Sequence, residues 1–111
     1  MTHPLAQLAV EALEDAKGQE IVVLDVSKLT DLMDAMVVAS GSSTRQVAAL
    51  VDRLLERCRA AGIRPLGIEG LDAAQWVLVD LGDVVVHVML PETRAFYELE
   101  KLWSVRPLAR G

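Results

Sequence analysis

The stretch from Trp76 to Leu90 constrains the fold more than any other part of the chain. Trp76-Val77-Leu78-Val79-Asp80 and Asp83-Val84-Val85-Val86-His87-Val88-Met89-Leu90 flank Leu81-Gly82. Two β-branched runs around so short a break spell a β-hairpin, with Gly82 free to adopt the positive φ of a tight turn. A two-residue Leu81-Gly82 loop sets Asp80 opposite Asp83, Leu78 opposite Val85 and Trp76 opposite His87. Side chains alternate with period two, so these six share one face. The other face carries Val77, Val79, Val84, Val86, Val88 and Leu90. It is wholly apolar and must be covered by helices; the first is a mixture of aromatic, carboxylate and imidazole.

The rest of the chain supplies that cover. Pro4 to Lys17 places Leu5, Leu8, Ala9, Ala12, Leu13 and Ala16 on one helical face, ending at Gly18. Ile21–Val26 and Ala35–Ser40 read as strands. Ser43 with Gln46 forms a capping-box pattern. Behind it Val47, Leu50, Val51, Leu54, Leu55 and Cys58 recur at helical spacing up to Gly62. Ile63–Ile68 is a third strand, irregular or at an edge because of Pro65. A last helix from about Pro91 gathers Ala95, Phe96, Leu99, Leu102 and Trp103 into an apolar arc, with Arg94, Tyr97, Glu98 and Lys101 opposite. The order α-β-β-α-β-β-β-α describes an α/β (α+β) domain, a mixed sheet with helices over one face. With 111 residues, 52% of them apolar, this is one domain over 1–111, its core spanning 4–104 and a tail covering 105–111.

Charge and composition exclude several functions. Eleven basic against sixteen acidic residues give a net charge of −5 and a pI near 4.9. Wholesale coating of a nucleic-acid backbone is thereby disfavoured, and a basic partner is favoured. One cysteine allows no internal disulfide, and no apolar run is long enough to span a membrane. The start Met1-Thr2-His3-Pro4 lacks the features of a signal peptide, so the expected location is the cytoplasm.

Three chemistries are open to such a frame. Gly41-Ser42-Ser43-Thr44 between a strand and a helix could bind an anion with its amides. It resembles the opening of a nucleotidyltransferase site, but the two carboxylates such a site needs on a neighbouring strand are missing, and Asp52 stands alone on a helix. An ordinary turn and helix cap is the simpler reading. Asp80, Asp83 and His87 could form a metal or acid–base set, yet one histidine is a poor transition-metal complement and Asp-Gly pairs are common turn residues. Cys58 reads as a small core residue. The third chemistry is protein binding: Trp76 either anchors a partner or closes one side of the sheet, and Tyr97 and Glu100 flank the last helix's apolar arc.

The segments 34–46 (DAMVVASGSSTRQ), 65–70 (PLGIEG), 76–88 (WVLVDLGDVVVHV) and 94–103 (RAFYELEKLW) resemble, in that order, the ribosomal silencing factor family, also called the Iojap family. The likeness covers about residues 5 to 104. It implies a nucleotidyltransferase-like fold without the catalytic carboxylate pair, no enzymatic reaction and no cofactor. It further implies binding to the large ribosomal subunit through its fourteenth protein. That occupancy would block small-subunit joining and repress translation when nutrients are scarce. A homodimer of the free form also follows from the likeness. On this resemblance Trp76, Asp80, Asp83 and His87 become partner-binding residues, Glu69, Tyr97 and Glu100 border them, and Arg106 and Arg110 of the tail could touch ribosomal RNA. The alternative class is a divergent nucleotidyltransferase-like enzyme or nucleotide-binding protein.

Overall fold

A computed structural model describes residues 3–98. The elements are α1 (Pro4–Asp15), β1 (Gln19–Asp25), β2 (Ala35–Ser40), α2 (Thr44–Ala60), β3 (Gly67–Glu69), β4 (Trp76–Asp80), β5 (Val84–Met89) and α3 (Pro91–Tyr97). The expected order is therefore the observed one. The strands form one mixed sheet, ordered β1-β2-β5-β4-β3. β2 and β5 run parallel, and every other neighbouring pair is antiparallel. Among the described residues no helix is long and apolar enough to cross a membrane.

The two faces of the sheet differ as the alternation dictates. On one, Ala35, Val37 and Ala39 of β2, Val77 and Val79 of β4, and Val84, Val86 and Val88 of β5 pack under α1 and α2. The helices answer with Ala9, Ala12 and Leu13 and with Val47, Leu50, Val51, Leu54 and Cys58, all fully buried. Burial raises the Cys58 thiol pKa, which fits its reading as an inert core residue. Two arginines of α2 clamp the helix pair from outside, Arg57 to Glu11 and Asp15 and Arg53 to Asp15.

α2 starts where its sequence says. Ser43 is the N-cap, its hydroxyl accepting from the Gln46 amide at 3.1 Å. The Gln46 side chain does not return to Ser43, as in the usual box. It accepts from the Ser42 amide at 2.7 Å and donates to the Lys17 carbonyl at 3.0 Å, tying α2 to the end of α1. Ser43→Ala should lower stability by about 1 kcal/mol, readable from a urea transition.

Two expectations are corrected. β3 is only Gly67–Glu69, because Pro65 cannot donate to a ladder, and it lies at the sheet edge. α3 does not present the expected side. Arg94 is buried and its guanidinium donates to the Ser40 hydroxyl at 2.9 Å, whereas Phe96 is 78% exposed. Ser40 belongs to the face of β2 that α1 and α2 leave uncovered, so α3 sits over the opposite face, docked by its polar side. The helix stops at Tyr97 because Glu98 is left-handed, with φ 48°. Leu99, Leu102, Trp103 and the tail lie outside the described residues.

Candidate functional site: an aromatic and acidic hairpin face

The hairpin closes differently from the two-residue Leu81-Gly82 loop, and the difference decides which side chains meet. The observed pairs are Asp80 with Val85, Leu78 with His87 and Trp76 with Met89. The turn residues are Gly82 and Asp83, framed by a bond from the Leu81 amide to the Val84 carbonyl at 2.9 Å. Gly82 has φ +93° and occupies the first central position, where a type II′ turn requires positive φ. The Asp80 carboxylate accepts from the Gly82 amide at 2.8 Å and fixes this register. Each partner thus moves by two residues, which preserves the assignment of side chains to faces but separates Asp80 from Asp83.

The shift also changes how Trp76 meets His87. The two residues are diagonal neighbours across the hairpin, and the Trp76 indole N–H donates to His87 Nδ1 at 3.0 Å. The imidazole is only 5% exposed. Burial holds its pKa down to about 4, so it is neutral at physiological pH and serves as an acceptor. His87 therefore lies beneath the surface, orienting Trp76, rather than on it.

Tyr97 also packs against Trp76, their ring centroids 4.9 Å apart and the rings tilted by 50°. Phe96 meets Tyr97 edge-on at 5.0 Å. With Tyr97 51% exposed and Phe96 more so, three aromatic rings make a continuous, partly solvent-facing patch. Phe96 departs here from helical periodicity, which assigns it to the core. Only the left-handed Glu98 and the burial of Arg94 reverse it.

The carboxylates stand at the other end of the same hairpin. Asp80 is half-buried and Asp83 exposed. About 13 Å of β4, at ~3.3 Å per residue, separates Asp80 from Trp76. Glu69 is exposed on β3, paired with Leu78, and lies between the two ends at the sheet edge. Glu100, Arg106 and Arg110 fall outside the described residues. The arrangement is an aromatic patch at one end, an acidic turn at the other and an apolar strip, Leu78 and Val85, between them.

No acid–base or metal set arises from Asp80, Asp83 and His87, since one caps a turn, one is at its tip and one is buried beneath Trp76. Another trio, His3, Asp34 and Asp83, brings its ligand atoms within 4.8 Å of one another. Its histidine is already engaged. Nδ1 accepts from the Leu5 amide as the cap of α1, which puts the proton on Nε2, 3.4 Å from the Asp34 carboxylate. A nitrogen that carries a proton has no lone pair for a metal. The loop at Gly41–Thr44 is likewise filled from within, its Ser42 amide taken by Gln46 and the Gln46 amide by Ser43.

The chain matches the family model described as "Ribosomal silencing factor during starvation" over residues 1–110. A ribosomal silencing factor of Chromobacterium violaceum is 52% identical over 100 residues, covering 90% of this chain and 82% of that protein. That of Haemophilus influenzae is 41% identical, covering 90% and 98%. A crystal structure of a Chromobacterium violaceum protein superposes with a TM-score of 0.88 at 52% identity, covering 89% of this chain and 82% of the other. The chain belongs to the ribosomal silencing factor family. The mixed sheet with flanking helices expected from the sequence is the one observed, except that α3 lies on the face opposite α1 and α2 instead of all helices on one face.

Proposed function

We propose that this chain binds the large ribosomal subunit through the subunit's fourteenth protein, using the hairpin face from Trp76 to Asp83. Occupying that place keeps the small subunit from joining and represses translation when nutrients are scarce. The action is one of occupancy in the cytoplasm, with no reaction and no cofactor. The observation that supports the reading is the cluster of half-buried Trp76 with exposed Tyr97 and Phe96 on a chain of this family. Aromatic rings held rigidly at the surface are the usual centres of binding energy, because they bury much area while losing few rotamers. The same exposed rings give the free chain a surface on which to pair with itself, so a homodimer would compete with subunit binding.

Two variants test the assignment. Trp76→Ala should weaken large-subunit binding by at least about 1 kcal/mol, measured by titrating labelled protein into purified subunits. Unchanged affinity with an intact fold would remove Trp76 from the interface. Asp83→Lys leaves the turn bond of Asp80 in place and reverses an exposed charge that stands beside His3 and Asp34. It should slow association with a basic partner and flatten the salt dependence of the on-rate, with little change in dissociation. A salt dependence identical to that of the parent would assign the acidic turn no part in docking.

A further inference from the structure

The outer edge of the sheet carries a second surface with its own chemistry. β3 is the last strand in the order and, among the described residues, has no strand beyond it. Between this edge and the final turns of α2 runs a groove of about 390 Å³, lined by Leu55, Arg59, Ile63, Arg64, Pro65 and Ile68. Ile68 pairs with Val79, whose side chain is in the core under α2, so the groove lies on the helical side of the sheet, away from Trp76. Its floor continues the core outward, since Leu55 and Ile63 pack against that core. Leu66 is 74% exposed beside it, and Leu71 is also exposed.

Two arginines line this groove in a chain of net charge −5, and none of the residues lining it is acidic. In a chain with sixteen acidic and eleven basic residues, most arginines could find a carboxylate. Arg53 and Arg57 of α2 do, on Asp15, Glu56 and Glu11. Arg59 and Arg64, the two that line the groove, make no ion pair among the described residues. The C-terminal end of α2 favours a cation in its last turn, which accounts for Arg59. It accounts neither for Arg64 nor for the apolar floor.

We propose that this groove receives an extended acidic peptide segment of a partner protein. The segment would lie along β3, an apolar side chain resting against Leu55, Ile63 and Ile68 and carboxylates on Arg59 and Arg64. Strand addition at a free edge supplies main-chain hydrogen bonds, and alternate side chains supply the selectivity. A peptide fits better than an RNA backbone, because sugar and phosphate gain nothing from the apolar floor and two arginines are few for phosphate tracking. The site lies across the sheet from the aromatic face, so its occupation is compatible with binding there, and the proposal stands or falls independently of that reading.

The test uses the full chain and a fluorescein-labelled peptide alternating glutamate with valine, with a lysine–valine peptide and an oligouridylate as controls. Saturable binding of the acidic peptide is expected, with amide shifts confined to residues 55–69. Arg59→Glu with Arg64→Glu should weaken it by about tenfold or more, while large-subunit binding stays unchanged. The proposal is overturned if the acidic peptide does not saturate or the double variant binds it equally well. Tighter binding of oligouridylate at the same amides would overturn it in favour of RNA. A concentration-dependent dimer abolished by the double variant would overturn it in favour of a second copy.

Discussion

Replacing Gly70 with alanine is expected to cost about 3 kcal/mol of stability and to weaken large-subunit binding as well. Gly70 has φ +87°, and a Cβ built there would lie 2.1 Å from the carbonyl oxygen of Trp76. That neighbour is backbone, which cannot rotate away as a side chain could. The loop and the start of β4 would have to separate, and β4 is where Trp76 takes its position. Gly67 gives the control: nothing lies within 4 Å of a Cβ there, and Gly67→Ala should stay within about 0.5 kcal/mol of the parent. Urea unfolding of both variants checks the difference. A Gly70→Ala loss no larger than that of Gly67→Ala would mean that the loop yields freely and does not set the position of Trp76.

Acid should loosen the same site from beneath. The His87 pKa is lowered from 6.5 to about 4 by burial. Between those values the unfolded chain binds a proton that the folded chain does not, so stability rises with pH across this window. In the other direction, the stability contributed by neutral His87 is complete above about pH 6.5. It is lost as pH falls toward 4, and the total is on the order of 3 kcal/mol. Protonating Nδ1 also removes the acceptor of the Trp76 indole N–H, so the ring that centres the patch is released. Asparagine places an amide oxygen near the position of Nδ1 without a proton to gain. His87→Asn should therefore be less stable at neutral pH, through lost volume, but flatter between pH 6.5 and 4. If the variant and the parent show the same pH slope across that window, His87 is not the group responsible.

Much of the fold is legible in the sequence because two periodicities carry it. The faces of β4 and β5 follow from alternation alone, and the buried side of α2 from helical spacing up to a stop that the sequence itself marks at Gly62. The hairpin register is less legible. Gly82 can sit first or second in a two-residue turn, and the choice falls to Asp80, whose carboxylate takes the Gly82 amide. α3 departs from its helical-wheel pattern for a different reason. A helical wheel drawn from Pro91 through Trp103 assumes one continuous helix, but the left-handed Glu98 ends it, and the preceding turn docks through Arg94 onto Ser40. That contact joins residues far apart in the chain, and no local pattern announces it. The site is legible in its residue types and not in their roles. Trp76, Asp80 and His87 do share a face, yet only the three-dimensional pairing shows that His87 orients Trp76 from below, that Asp80 is held by its own turn, and that Phe96 joins Tyr97 on the outside.

Separation of ribosomal subunits by occupying the large one, the action proposed for this chain, has a direct test. Purified large and small subunits are mixed with and without the protein at a magnesium concentration that promotes association, then sedimented through a density gradient. Comigration with the large subunit, fewer joined ribosomes, and loss of both effects in Trp76→Ala are the expected result. Protein remaining at the top of the gradient, with joining undiminished, would contradict the account.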